Sequence, residues 1–140
     1  MKKHKNRLID ILKEVLEKDE NILFAYLYGS SIHKLKHLGS DIDVAVYLKC
    51  TDMDGYLRKG KELIDNLITM LHTDKIDLQI INAAPFLLQY QIIKEGMLFF
   101  VRDLSEKVDF ETRVMNRFFE LKPHLEEYRQ MLSLKIESGA

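Results

Sequence analysis

The sequence has one cysteine, almost no net charge and no long apolar run, and each of these absences argues against a class of protein. Its single cysteine, Cys50, has no partner for a disulfide within the chain, which favours a reducing compartment. Lysine and arginine number 21 and aspartate and glutamate 22, so no overall charge attracts nucleic acid or an anionic membrane. No apolar run approaches the roughly 20 residues that span a bilayer. We therefore predict a cytoplasmic protein with no membrane partner and no direct contact with nucleic acid.

The apolar residues are spaced as in alternating helices and strands. With 140 residues, 46% of them hydrophobic, the chain can bury one sizeable core, and no linker, repeat or low-complexity segment divides it. Predicted strands lie at 22–28, 41–48, 75–81 and 97–101, the last at a sheet edge. Predicted helices lie at 4–18, from near residue 30 to Gly39, at about 53–72, and after Pro85. This order predicts a mixed α/β fold.

The C-terminal third differs, because its apolar residues repeat at intervals of three and four. Asp103 with Glu106 fits a capping box that would start a helix there. Pro123 interrupts the repeat, and we favour one kinked helix over two helices. The apolar seam could cover the sheet, form a homodimer surface or dock a helical partner. Its members are Phe110, Val114, Phe118, Leu121, Leu125, Tyr128 and Leu132.

Two aspartates stand one residue apart in the strand DIDVAVYL. Side chains of a strand alternate between its faces, so Asp41 and Asp43 should point the same way while Ile42 and Val44 enter the core. Two carboxylates held together favour a shared cation, and Mg²⁺ prefers oxygen ligands. A solvated strand end is the commoner explanation of an isolated D-x-D.

Two further features favour a metal and nucleotide site. Gly29 and Ser30 end one strand and open a helix, where backbone N–H groups and the serine hydroxyl could bind phosphate. Asp77 places a third carboxylate within the apolar strand KIDLQII. If that strand lies beside the D-x-D strand, Asp77 could complete the shell of one metal and help to deprotonate an incoming hydroxyl.

Together these residues carry a family resemblance. Gly29-Ser30, ten residues, Asp41-Ile42-Asp43 and a later Asp77 resemble the G-S-x10-D-x-D…D signature of the DNA polymerase β-like nucleotidyltransferase superfamily. More narrowly, residues 20–103 resemble the minimal nucleotidyltransferase (MNT) family, whose members include antitoxins paired with HEPN toxins. The resemblance implies a nucleotidyltransferase fold of the α/β (α+β) class, a mixed sheet flanked by helices. We divide the chain into a nucleotidyltransferase domain, 1–104, and a C-terminal helical extension, 105–140, as a single domain overall.

The same resemblance implies a chemistry and a partner. It assigns Gly29 and Ser30 to nucleotide binding, and Asp41, Asp43 and Asp77 to catalysis and to two Mg²⁺ ions, with ATP as the substrate. Asp77 would serve the metal that activates the acceptor. In the characterised branch, the antitoxin transfers AMP to a tyrosine of a HEPN-domain ribonuclease toxin, so that toxin is the expected partner. Two alternatives stay open: an aminoglycoside-type adenylyltransferase, and a non-catalytic antitoxin that blocks its toxin by binding.

Some neighbouring residues have no assigned role. Where many relatives read G-S-x-A-R-G, this chain has His33 and Lys34, and whether either replaces the arginine is open. His33 and His37 are spaced like metal ligands, but a solvated helix face is the commoner meaning. The aromatic residues Phe24, Tyr26 and Tyr28 share one strand face and are more typical of a core than of base stacking; Tyr28 is left open. Homo-oligomerisation is also left open.

Overall fold

A computed structural model describes the backbone of residues 2–29 and 42–139. Side chains are described within these ranges from residue 7 to residue 127, and at Gln130. The predicted short helix before the D-x-D strand therefore lies outside the described residues. So do Ser30, His33, Lys34, His37 and Asp41.

The described elements follow the predicted order. The chain runs α1 (Lys2–Glu17), β1 (Ile22–Leu27), β2 (Ile42–Leu48), α2 (Met53–Leu71), β3 (Ile76–Ile80), a 3₁₀ turn (Ile81–Ala83), α3 (Phe86–Glu95), β4 (Met97–Val101) and α4 (Leu104–Gly139). Each predicted strand and helix within the described ranges is confirmed, with ends that differ by no more than two residues.

The four strands form one mixed sheet in the order β3-β2-β1-β4. β1 is antiparallel to both β2 and β4, whereas β2 and β3 are parallel. The parallel pair follows from the connection through α2, since parallel neighbours need a long crossover, usually a helix. The predictions that β3 lies beside β2 and that β4 is an edge strand are confirmed.

Each face of the sheet carries its own apolar cluster. Val44 and Val46 point into a cluster with residues of α1 and α2, and Ala45 and Tyr47 belong to a second cluster with residues of α3 and α4. Because the central strands are covered on both faces, all six residues of β1 are buried, and the strand reads as a continuous apolar run.

The aromatic residues of β1 belong to the second cluster. Phe24 and Tyr26 are fully buried there, and the ring of Phe24 stacks on that of Tyr47 with centroids 4.6 Å apart. The prediction that aromatic residues at period two fill a core is therefore confirmed for these two. Tyr28, which continues the period, is half-buried at the end of the strand.

α4 is a single helix that continues through Pro123, so the prediction of one helix and not two is confirmed. The kink at Pro123 stays a prediction. Its start departs from the predicted capping box. The Glu106 N–H donates to Oδ1 of Asp103 at 3.1 Å, which is the first half of the box. The second half would be a bond from the Asp103 N–H to the side chain of Glu106. This N–H donates instead to the carbonyl of Leu23 at 3.1 Å. This bond ties the start of α4 to β1.

The first half of the C-terminal seam packs on the protein's own sheet. Phe110 and Val114 are buried in the second cluster, and the Phe118 ring stacks on Tyr90 of α3 with centroids 3.8 Å apart. The Tyr26 hydroxyl also donates to Oε2 of Glu111 at 2.6 Å. This part of α4 therefore belongs to the core of the fold. The boundary between residues 104 and 105 stays a prediction, and the side chains of Tyr128 and Leu132 lie outside the described residues.

Arg102, at the end of β4, joins three elements. Its Nε donates to the carbonyl of Ile22 at 2.9 Å, and its Nη2 donates to that of Glu17 at 2.8 Å. Longer contacts of 3.4 Å reach the carbonyls of Leu16 and Asp19. The cation thus satisfies carbonyls at the C-terminus of α1, where the helix dipole also favours positive charge.

We predict that Arg102→Ala destabilises the fold. Loss of charge-assisted bonds to backbone carbonyls should lower the free energy of unfolding by about 2–3 kcal/mol. The matched control is Arg113→Ala, since both arginines are exposed but Arg113 makes only a long bond of 3.4 Å to the Tyr47 hydroxyl. Its effect should stay within about 0.5 kcal/mol. Urea denaturation measures both. Equal effects of the two substitutions would contradict the anchoring role of Arg102.

Candidate active site

Three polar side chains form a row across three adjacent strands. β1 pairs with β2 so that Leu27 lies opposite Val44, and the next pair is Tyr28 with Asp43, whose carbonyl accepts the Tyr28 N–H at 3.1 Å. β2 pairs in turn with β3 so that Asp43 lies directly opposite Asp77. Residues paired in register point to the same face of a sheet. Tyr28, Asp43 and Asp77 therefore project side by side.

The row lies at the solvent-accessible end of the face that α3 and α4 cover. Asp43 is two residues before Ala45, which belongs to the second cluster, so the two share a face. Asp77 is exposed, whereas Asp43 and Tyr28 are half-buried. The row is therefore open to a ligand.

The paired carboxylates fit a divalent cation. Adjacent strands lie about 4.8 Å apart, so two aspartates in register repel each other unless a cation or a proton lies between them. Carboxylate oxygens are the ligands that Mg²⁺ prefers. Within residues 2–29 and 42–139, no group of three or more histidine, cysteine or acidic side chains could hold a metal. The structure thus brings together two of the three predicted ligands, Asp43 and Asp77, and the third, Asp41, lies outside the described residues.

Gly29 lies directly against the carboxylate of Asp43. Its φ of +64° is in the left-handed region, which side chains other than glycine adopt at a cost. A Cβ atom built on Gly29 would stand 2.9 Å from Oδ2 of Asp43, well inside van der Waals contact. The backbone turn predicted to bind phosphate and a carboxylate predicted to bind metal are therefore neighbours. Ser30, the other predicted phosphate ligand, lies outside the described residues.

Tyr28 also belongs to the site, although the sequence analysis assigned it no role. Burial and the charges of Asp77 and Asp43 raise the pKa of the Tyr28 hydroxyl above its usual value. The phenol therefore stays protonated. The signal in the sequence was its period-two position in β1, but its place beside the two aspartates depends on the register of three strands.

The arrangement defines a class of enzyme. A mixed sheet that holds carboxylates in register on neighbouring strands, with a glycine turn against them, is suited to binding a metal-chelated triphosphate and transferring part of it. The family model described as "Polymerase beta, Nucleotidyltransferase" matches residues 10–105. The chain therefore belongs to this nucleotidyltransferase family, as its signature residues predicted.

Three solved structures show the same fold over nearly the whole chain. A chain of the "toxin-antitoxin with AMP-PNP" crystal structure has a TM-score of 0.64 and 22% identity, and the match covers 95% of this chain and 98% of that one. For the "toxin-antitoxin MntA-HepT" structure the TM-score is 0.60, the identity 21% and the coverage 98% and 99%. For the "tri-AMPylated Shewanella oneidensis HEPN toxin in complex with MNT antitoxin" these values are 0.60, 21%, and 97% and 98%.

No curated protein matches the chain in sequence. Across the part of the chain that the structure describes, every helix is too short or too polar to cross a membrane.

We predict that Gly29→Ala weakens nucleotide binding in a protein that still folds. The left-handed backbone should cost about 1–2 kcal/mol of folding free energy. Displacement of the Asp43 carboxylate should reduce the affinity for Mg²⁺ and a nonhydrolysable ATP analogue by about tenfold or more. Calorimetry measures the affinity, and thermal unfolding measures the stability.

The matched control is Gly60→Ala in α2. There the added Cβ would stand 3.6 Å from Ile80, an ordinary contact, and alanine favours the helix. Its nucleotide affinity should equal that of the wild type. An unchanged affinity in Gly29→Ala would show that Gly29 does not lie at the nucleotide.

Proposed function

We propose that this protein transfers AMP from ATP to a tyrosine hydroxyl of a HEPN-domain ribonuclease toxin and acts in the cytoplasm as its antitoxin. The observation that carries the proposal is the register of Asp43 opposite Asp77, with Gly29 against Asp43. A phosphate site and a carboxylate pair are then adjacent at an open end of the sheet. Membership of the nucleotidyltransferase family supports the reaction class.

Asp41, Asp43 and Asp77 would hold two Mg²⁺ ions. These carboxylates have the oxygen donors and the mutual repulsion that favour a hard divalent cation. Bound Mg²⁺ would neutralise the charge of the triphosphate and acidify the acceptor hydroxyl. Asp41 and Asp43 would serve both ions, and Asp77 would serve the acceptor side.

The chain's own residues supply binding, orientation and proton transfer. Gly29, which has no side chain, allows close approach of the triphosphate, and Ser30 would donate its hydroxyl to it. Asp77 would accept the proton of the incoming hydroxyl while the oxygen of that hydroxyl forms a bond to the α-phosphorus of ATP. The bond between the α-phosphorus and the bridging oxygen breaks, and pyrophosphate leaves. The products are an adenylylated acceptor and pyrophosphate, and the proton passes to solvent.

The relatives support the choice of acceptor. The structures similar to this chain include a toxin–antitoxin with AMP-PNP and a tri-AMPylated HEPN toxin with its MNT antitoxin, and the likeness covers nearly all of both chains. An adenylyl group near a ribonuclease site would add negative charge where the RNA backbone must bind, so repulsion and steric blocking would both suppress cleavage. Covalent modification would therefore neutralise the toxin.

The first test separates binding from chemistry through Asp77→Asn. Because Asp77 is assigned to the acceptor, the variant should keep its affinity for the ATP analogue within a few-fold. It should lose transfer by about a hundredfold or more, the usual contribution of a general base. Single-turnover transfer of labelled AMP and calorimetry measure the two quantities.

The control for Asp77→Asn is Asp74→Asn. Asp74 is exposed in the loop before β3, so its variant should match the wild type in both measurements. Transfer by Asp77→Asn within a few-fold of the wild type would remove Asp77 from the reaction.

The second test identifies the acceptor. A HEPN-domain ribonuclease from the same organism is incubated with ATP, Mg²⁺ and either the wild type or Asp43→Asn, and its intact mass is measured. We expect one or more added adenylyl groups with the wild type only, together with loss of ribonuclease activity, because Asp43 is needed to bind the nucleotide. Peptide mapping should place the added groups on tyrosine.

Two other outcomes would contradict the proposal. A toxin that gains no mass yet is silenced equally by both proteins would identify a non-catalytic antitoxin. Adenylyl mass found on an aminoglycoside, and none on the toxin, would identify a small-molecule adenylyltransferase.

A further inference from the structure

β3 forms one edge of the sheet among the described strands. It pairs there with β2 alone, in a register that has no bulge. The carbonyl of Lys75 accepts the Ile42 N–H at 2.9 Å, so residue 75 directs its backbone groups towards β2. Successive residues of a strand direct these groups to alternate sides. Ile76 and Leu78 therefore direct theirs away from β2, towards the edge.

The backbone at this edge is available for pairing with another strand. Across residues 2–29 and 42–139, no loop, turn or cap bonds to the backbone of Ile76 or Leu78. Sheets usually protect such an edge with a proline, a lysine or a bulge. The strand Ile76–Ile80 contains none of the three. Its edge is therefore suited to accepting a further strand.

Packing holds β3 in place before any strand is added. Ile76 is buried in the apolar cluster shared with α1 and α2, and Leu78 and Ile80 pack against it. These side chains occupy one face of the strand, whereas Asp77 lies on the opposite face, in register with Asp43. Because the strand is already ordered, it loses little conformational freedom when a partner binds, which favours affinity.

An added strand would extend the row of polar side chains at the candidate active site. It would lie about 4.8 Å beyond β3, and its residue opposite Asp77 would point to the same face as Asp77 and Asp43. Aromatic side chains reach the directly opposite and the diagonal positions of a neighbouring strand. A tyrosine at that place could therefore bring its hydroxyl to the exposed Asp77 carboxylate, which is assigned above to the acceptor.

We propose that the acceptor protein binds by adding an extended segment to the edge of β3, with the tyrosine to be adenylylated opposite Asp77. In this mode of recognition, main-chain hydrogen bonds give affinity and the positions of side chains give specificity. The register of the added strand then selects which tyrosine is modified. A small hydroxyl compound cannot form these main-chain bonds, so the mode favours a protein acceptor. The modification of tyrosine rests on the function proposed above, whereas the binding of a segment at the edge does not.

The first test blocks the edge with Leu78→Pro. Proline has no N–H, and its ring would occupy the side from which a strand pairs. Sheets tolerate proline where the replaced N–H faces solvent, as it does at this edge. We expect kcat/KM for the HEPN-domain toxin to fall by at least about tenfold, with the affinity for a nonhydrolysable ATP analogue within about twofold of the wild type. An unchanged kcat/KM for the toxin would overturn the inference.

The matched control is Val101→Pro at the opposite edge of the sheet. Val101 is exposed at the end of β4, and the N–H of the next residue, Arg102, donates to the Leu23 carbonyl at 2.7 Å. The Val101 N–H therefore faces away from β1. This variant places the same residue in an outer strand, and its kcat/KM for the toxin should match the wild type. Equal losses in the two variants would show that proline acts through the fold, and would overturn the role of β3.

A second measurement detects the contact without AMP transfer. Backbone amide exchange is followed by NMR, residue by residue. In the free protein the Ile76 and Leu78 amides should exchange fast, and those of Asp77 and Gln79, which face β2, slowly. Adding the toxin with the ATP analogue should slow Ile76 and Leu78 by at least about tenfold, because both would then face an added strand.

The outcomes of this measurement separate the two proposals. If the toxin leaves the Ile76 and Leu78 amides unprotected, the inference is overturned, whether or not AMP is transferred. Protection that appears without toxin and increases with protein concentration would identify a second copy of the chain at the edge, and would also overturn it. Protection by the toxin, with no adenylyl group transferred from ATP, would overturn the proposed function alone.

Discussion

The site depends on the parallel register between β2 and β3. Because Asp43 lies directly opposite Asp77, two like charges face each other at the end of the sheet, and a shift of one residue would turn one carboxylate to the opposite face. The apolar residues on both sides of β2 hold the register, since Val44 and Val46 must enter one cluster and Ala45 the other. The packing of the core therefore fixes the spacing of the two carboxylates that we propose as catalytic.

The architecture could be predicted from the sequence because its strands and helices have different apolar periods. The alternation of apolar strands and amphipathic helices indicated a mixed α/β fold, and the family resemblance implied a mixed sheet flanked by helices. The burial of β1 on both faces and the parallel pairing of β2 with β3 became visible only in the structure. Asp77 could also be identified from the sequence, because a charged residue is unexpected within a buried apolar strand. In the structure, however, β3 is the outermost described strand on its side of the sheet and Asp77 is exposed, so a charge there does not by itself require a function.

Contacts that join distant residues could not be predicted in this way. The place of Tyr28 beside Asp43 and Asp77 depends on the pairing of three strands, and a period-two pattern indicates only which face a residue shares. The capping box at Asp103 is only half formed for a related reason. The local motif predicted that the Asp103 N–H would bond to Glu106, but the start of β1 lies nearby and the Leu23 carbonyl accepts this bond instead. A tertiary contact thus replaced a local hydrogen bond.

Arg102 and the carboxylates of the candidate active site lie at opposite ends of β1. The guanidinium bonds to the carbonyl of Ile22, the first residue of β1, whereas Gly29 lies two residues beyond the last, Leu27. A strand of six residues is about 20 Å long, more than twice the Debye length of about 8 Å at physiological ionic strength. The cation therefore has little effect on the charge balance among Asp43, Asp77 and a bound triphosphate. The two ends of β1 are in this sense electrically independent, and a change of charge at one end should barely alter the electrostatics of the other.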